Sequence, residues 1–171
     1  SSKTIFIQGG AGTGKSIMAT FLFKLLHSEK EDFNYKEFAD EELTFIEKVD
    51  QLKKKYPKPK MALVVPMSSF RETLKRVFSN IKGLSSKMVI GPAEVTREKY
   101  DIILVDESHR LRRRVNLGAY FGSFDSANRE LNLNVEKSNE LDWILKQSDR
   151  SILFYDESQS IKPSDILKED F

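Results

Sequence analysis

Cysteine is absent from the 171-residue chain. Disulfide frameworks and thiol chemistry are therefore excluded. Histidine occurs only twice, too few for a histidine-based metal centre. No charge sign dominates: 28 Lys and Arg stand against 26 Asp and Glu, a net charge of +2. A polyanionic partner would have to be met by local clustering of cations, not by the overall field. Long apolar runs are missing too. The longest, Met61 to Met67, has seven residues, against about 20 for a membrane-spanning helix. No membrane partner is expected, and the expected location is cytoplasmic. What is present suffices for a folded domain. Hydrophobic residues make up 39% and aromatics 11%, enough to build one core at this length.

The chain alternates strand-like and helix-like segments. Residues 3–8 are short, apolar and β-rich. Glycines follow at 9, 10, 12 and 14. Ile17, Phe21, Leu22, Leu25 and Leu26 recur at helical spacing and predict a helix from Lys15 to about Lys30. Residues 29–60 change character. Nine acidic residues lie between Glu29 and Asp50, and five lysines between 53 and 60. Leu43, Ile46, Val49 and Leu52 predict a helix over about 40–55, ended by Pro57 and Pro59. We read 29–60 as a charged helical insertion on the surface, its lysines forming a solvated face. Met61–Pro66 predicts a buried strand. A helix over about 69–80 follows, with Phe70, Leu74, Val77 and Phe78 on one face and a Ser68 or Ser69 cap with Glu72. Met88–Ile90, Asp101–Val105 and Ser151–Tyr155 predict three more strands. Residues 110–137 read as irregular, and 138–148 as a helix in which Trp143 packs into the core. Strands apolar on both faces, alternating with helices, specify a parallel sheet covered on two sides.

Two motifs carry chemistry. Gly9-Gly10-Ala11-Gly12-Thr13-Gly14-Lys15-Ser16 has the spacing of a phosphate-binding loop. Its glycines let backbone N–H groups point inward at phosphates, and the following helix adds the positive end of its dipole. Lys15 can reach the β- and γ-phosphates, and the Ser16 hydroxyl can bind Mg²⁺. The second motif is Asp106-Glu107, at the end of four apolar residues. Asp106 can hold Mg²⁺ through water, and Glu107 can orient and deprotonate an attacking water. ATP and Mg²⁺ are thus the expected ligands. An N-K-x-D guanine motif and a D-x-x-G switch are both absent, which argues against a GTPase. A third strand-then-polar pattern, Ile152 to Gln159, puts Gln159 where it can sense the γ-phosphate if its strand lies between the other two. Beyond Glu107, Arg110, Arg112, Arg113 and Arg114 form a basic patch, followed by Tyr120, Phe121 and Phe124. Cations beside aromatics suit single-strand contact. On residues alone, a solvated loop with its aromatics tucked against the core fits as well.

Gly10–Ser16, Val105–His109 and Tyr155–Ile161 resemble motifs I, II and III of superfamily 1 helicases, in that order. Val64–Phe70 is similar to motif Ia. Met88–Val95, His109–Arg114 and Leu141–Lys146 resemble the Schlafen group 3-like DNA/RNA helicase domain family. The resemblance covers nearly the whole chain and is weakest over 29–60. It implies an α/β three-layer RecA-like P-loop NTPase fold, residues 1–171 as one domain, with a mostly parallel sheet of about five strands. It implies ATP as fuel, with Lys15, Ser16, Asp106, Glu107 and Gln159 at the nucleotide. It implies that Pro66, Ser68, Ser69 and Pro92 face a single strand of DNA or RNA, and it favours that role for the 110–124 segment. A second RecA-like domain is the implied partner and the source of an arginine at the γ-phosphate. The chain starts without Met and stops at Phe171, just after motif III, so we expect a fragment of a longer protein, slow or inactive alone. The competing expectation is a nucleotide-dependent switch that moves a protein partner without nucleic acid.

Overall fold

The computed structural model describes residues 3–10, 14–28, 40–159 and 161–171, and of 40–46 only the helical backbone. Among these residues, five strands form one parallel sheet in the order β1-β5-β4-β2-β3. They are β1 (Thr4–Gln8), β2 (Met61–Val64), β3 (Val89–Ile90), β4 (Tyr100–Val105) and β5 (Ser148–Tyr155). Among the described residues, five α-helices connect them: α1 (Lys15–His27), α2 (Asp40–Lys55), α3 (Ser68–Ser79), α4 (Phe121–Glu130) and α5 (Glu140–Gln147).

Strand periodicity divides the core in two. Met61, Leu63, Ile102, Leu104, Ile152 and Phe154 face α1, α2 and α3, where they meet Ala19, Leu22, Phe23, Leu26, Val49, Leu52, Leu74 and Phe78. Ala62, Val64, Ile103, Val105 and Leu153 face the other way, onto Leu111, Leu141, Ile144 and Ile166. Residues one apart on a strand thus serve opposite layers, as the pleat requires. A smaller cluster joins α4 to α5 through Phe124, Leu131 and Trp143. Trp143 is fully buried, as expected, and its Nε1–H donates to Asn128 Oδ1 at 2.7 Å.

Several expectations need correction. Ile17 and Phe21 lie on the solvent face of α1, 77% and 50% exposed, while Ala19 and Phe23 take the core positions. Val77 is likewise exposed. No side chain caps α3; Met67 stands at the cap position, and its carbonyl accepts the Arg71 N–H at 2.9 Å. Residues 110–137 are not irregular throughout, since α4 occupies 121–130. Within the charged region, α2 sits on the sheet: Val49 and Leu52 are core residues. Lys53 is not solvated but buried, its Nζ donating to Leu26 O at 3.1 Å. Residues 29–39 of that region lie outside the described residues. Among the described residues, no helix is long and apolar enough to cross a membrane.

Candidate nucleotide site and adjoining groove

All five strands run in one direction, so all five of their C-terminal ends open on one edge. Along that edge stand, in spatial order, Gly9 after β1, Asp156 after β5, Asp106 after β4, Pro66 after β2 and Gly91 after β3. This is the edge where open α/β sheets bind ligands. The strand carrying Gln159 does lie between the phosphate-loop strand and the Asp106 strand. Three bonds fasten the tips together. Gly9 N–H donates to Tyr155 O at 3.2 Å, Asp106 N–H donates to Val64 O at 3.0 Å, and the Ser108 hydroxyl donates to Phe154 O at 2.9 Å.

The loop begins α1 at Gly14, whose φ of 75° places it in the left-handed region that glycine tolerates. Ala11, Gly12 and Thr13 lie outside the described residues. Lys15 folds back over the loop. Its Nζ donates to Gly9 O at 2.9 Å and Gly10 O at 2.7 Å, and stands 3.6 Å from Asp156 Oδ2. Asp156 was not singled out from sequence. It accepts from Ser158 N–H at 2.9 Å, the Ser158 hydroxyl at 2.6 Å and Gln159 Nε2 at 3.3 Å. The Ser158 hydroxyl is the chief cause holding its carboxyl down at about 2.

Asp106 is fully buried. Burial pushes its carboxyl up, against the Ser16 hydroxyl, the Glu107 N–H and Lys15, which favour the ionised form. Oδ1 accepts from Glu107 N–H at 2.9 Å, while Oδ2 has no hydrogen-bond partner among the described residues. A buried, unpartnered carboxylate oxygen beside a serine hydroxyl fits a hard cation. No group of three or more His, Cys, Asp or Glu side chains gathers among the described residues. Ser16 and Asp106 are the residues that could hold Mg²⁺, an ion usually shared between one or two protein oxygens, substrate phosphates and water.

Glu107 adopts φ 51°, ψ 44°, a left-handed conformation uncommon outside glycine. Its Oε2 lies 2.9 Å from His109 Nε2, and this contact holds the Glu107 carboxyl below the usual range despite partial burial. His109 is buried, and its Nδ1 accepts the Asp156 N–H at 3.3 Å. With Nδ1 accepting, the proton of the neutral ring sits on Nε2, which is close to Glu107 Oε2 but not aligned on it for a hydrogen bond, so the contact is electrostatic.

Beside these residues runs a groove of about 460 Å³. Pro66, Ser68, Ser69, Pro92, Arg110, Arg112 and Tyr120 all line it, so the structure brings together most of the candidates from three separate chain segments. Arg113, Arg114 and Phe121 do not line it. Arg114 makes a two-pronged bond to Asp125, at 2.8 and 3.0 Å, and covers the Phe121 ring. Arg113 hydrogen-bonds through its backbone to Ser164 O. Sequence reasoning missed Arg71 and Glu140 in the groove. Arg71 packs against Gly91, where a Cβ would come within 2.1 Å of its Nη1. Glycine at 91 thus makes room for that cation. Arg110 joins groove to nucleotide motifs: Nη1 donates to Asp165 at 2.9 Å and Nη2 to Gln159 Oε1 at 3.4 Å.

The Schlafen group 3, DNA/RNA helicase domain family matches residues 2–170. The chain belongs to this family. As a Schlafen group 3 helicase domain it carries a helicase-like role in general terms, in keeping with a parallel α/β sheet whose motifs share one edge. No curated protein and no solved structure matches it.

Proposed function

We propose that this domain binds and hydrolyses Mg·ATP to drive movement on single-stranded DNA or RNA, as the motor of a superfamily 1-like helicase or translocase. The loop at Gly9–Ser16 cradles the phosphates, and Lys15 exchanges its bonds to Gly9 and Gly10 for phosphate oxygens. Ser16, and Asp106 through water, would hold Mg²⁺. When bound, that ion neutralises charge on the phosphate oxygens. Glu107 orients and deprotonates the attacking water. His109 keeps Glu107 ionised and aimed. Gln159 reads the γ-phosphate, and Arg110 carries its position to the groove. A second RecA-like domain supplies the arginine at the γ-phosphate, a contribution of about 10³–10⁵ in rate in related phosphoryl transfer.

The observation that most supports this reading is the position of Arg110. One side chain bonds Gln159 and lines the groove that holds Pro66, Ser68, Pro92, Arg112 and Tyr120. The test is single-strand affinity as a function of salt. Phosphate contacts predict a slope of about −0.7 in log K per phosphate neutralised on a single strand. Arg112→Ala lowers that slope by about one contact. Tyr120→Ala weakens binding by about 1–3 kcal/mol through lost stacking. Arg114→Ala leaves both unchanged, because Arg114 is paired away from the groove. Binding that is absent, or flat in salt, overturns the nucleic-acid role and favours a switch that moves a protein partner.

A further inference from the structure

The groove wall contains a carboxyl group with no part in the scheme above. Glu140 opens α5 and is 2% exposed. Its Oε1 accepts the Arg112 N–H at 2.7 Å, and its Oε2 accepts the Tyr120 hydroxyl at 2.9 Å. The Arg112 guanidinium lies over the Tyr120 ring, 5.6 Å from its centre. The carboxyl therefore supports the cation and aromatic ring that an incoming strand would meet.

Both protonation states of this carboxyl can be satisfied in place. Ionised, it accepts two hydrogen bonds. Protonated, it keeps the Arg112 N–H on Oε1 and donates from Oε2 to the Tyr120 oxygen, whose own proton turns away. A backbone N–H cannot reverse its role, but a phenol can. No heavy atom needs to move, yet the groove changes by one full charge. Burial already pushes the Glu140 carboxyl up to about 7, against the Arg112 N–H, the Tyr120 hydroxyl and the charges of Arg112 and Arg71. Tyr120 is itself pushed upward by burial and by Glu140, so the phenol keeps its proton throughout the neutral range.

The charged groups that line the groove with this carboxyl come from several elements. Arg71 comes from α3, Arg110 and Arg112 from the segment after β4, and Glu94 from the turn after β3. Lys162 and Asp165 come from the last segment. On α5 itself, Asp142 is engaged in the helix cap with Asn139.

We propose that Glu140 takes up a proton when a nucleic-acid strand enters the groove, so that strand affinity follows pH. The proposal rests on the strand-binding reading above. Phosphates drawn to Arg112 and Arg71 cancel the positive field that favours the carboxylate, and they add negative charge. Both effects raise the proton affinity of Glu140. Linkage is reciprocal, so protons in turn raise strand affinity. The sign follows. Below the free groove's pKa the carboxyl is already protonated, and affinity is highest. Above it, binding must draw a proton from solution, and affinity falls by up to about tenfold per pH unit.

Fluorescence anisotropy with a labelled oligothymidylate tests this, at constant ionic strength between about pH 6 and 8.5. The wild type should lose affinity steadily above about pH 7. Glu140→Gln copies the protonated state: Oε1 accepts from Arg112 N–H, and Nε2 donates to the Tyr120 oxygen. It should bind at high pH as tightly as the wild type does at low pH, with a flat profile. Every other titrating group is common to both proteins, so the comparison removes it. Calorimetry in two buffers of different ionisation enthalpy needs no variant, and should show net proton uptake by the wild type near pH 8. An equal pH slope in the wild type and Glu140→Gln, or no proton uptake, overturns the proposal while leaving strand binding intact. Failure of the wild type to bind at any pH overturns the strand-binding reading itself.

Discussion

Replacing Lys15 by methionine separates nucleotide binding from folding. The Lys15 stem is packed, with only 9% of the residue exposed, and methionine keeps that stem while removing the ammonium. The ammonium donates to Gly9 O and Gly10 O and stands 3.6 Å from Asp156. In the proposed mechanism these contacts are exchanged for phosphate oxygens, which are stronger, charged acceptors. A hydrogen bond to a charged group contributes about 1.5–3 kcal/mol. Two such bonds, less the contacts surrendered in the exchange, leave a net loss of about 2–3 kcal/mol in the variant. At 1.4 kcal/mol per decade, that is a fall of roughly 30- to 150-fold in ATP affinity. Folding should change little. The carbonyls of exposed Gly10 and partly exposed Gly9 can turn to water, and Asp156 keeps its Ser158 and Gln159 donors. A stability loss under about 1 kcal/mol corresponds to a melting shift of less than about 4 °C at this size. Isothermal titration with Mg·ATP, beside a thermal melt, reads both quantities. An affinity within about threefold of the wild type, which is under 1 kcal/mol, would refute the assignment of Lys15 to the phosphates.

Three further outcomes follow from the same geometry. Glu107→Gln should keep ATP binding and lower single-turnover hydrolysis by about 10²–10⁴, the usual contribution of a positioned base; equal rates would remove Glu107 from the mechanism. His109→Ala should move the acid limb of the pH–rate profile to higher pH. The reason is that the His109 contact holds the Glu107 carboxyl below its usual range, so the wild-type base stays ionised to lower pH; an unmoved limb would show that the contact does not tune Glu107. Trp143→Ala should destabilise the domain by about 3–5 kcal/mol, because it empties the α4–α5 cluster and leaves the buried Asn128 amide oxygen without its indole donor. Chemical denaturation measures that loss, and a cost under about 1 kcal/mol would mean that the cluster is not a cooperative part of the fold.

Much of the fold was legible because the strands are short, apolar runs whose tips carry glycine, proline or acid residues. Alternation of such strands with helices leaves few topologies, and five parallel strands is the one found. The parts that were not legible depend on contacts distant in sequence. Helix α4, Phe121–Glu130, contains Gly122, Ser123, Ser126 and Asn128, residues with weak helix propensity. Its stability comes from Phe124 against Trp143 and from Asn128 on the indole, neither of which a local window contains. Arg114 looked like part of a basic patch because Asp125, which neutralises it, lies on that unrecognised helix. Ile17 and Phe21 fit a helical stripe, but the stripe that packs is Ala19, Leu22, Phe23 and Leu26. Glu140 reads as an ordinary acid at a helix start, where solvated acids are favoured. Its burial arises from Arg112 and Tyr120, 28 and 20 residues away. Arg71 had no local signal at all; Gly91 makes room for it from another strand end.

The central claim is that ATP turnover at the Asp106–Glu107 edge and strand binding in the neighbouring groove belong to one machine. Steady-state ATP hydrolysis by the full-length protein, measured with and without single-stranded nucleic acid, tests this most directly. The account predicts that the strand stimulates hydrolysis, and that both Arg110→Ala and Glu107→Gln abolish the stimulation, the first by uncoupling and the second by removing the base. Hydrolysis that proceeds at the same rate with and without the strand would contradict it.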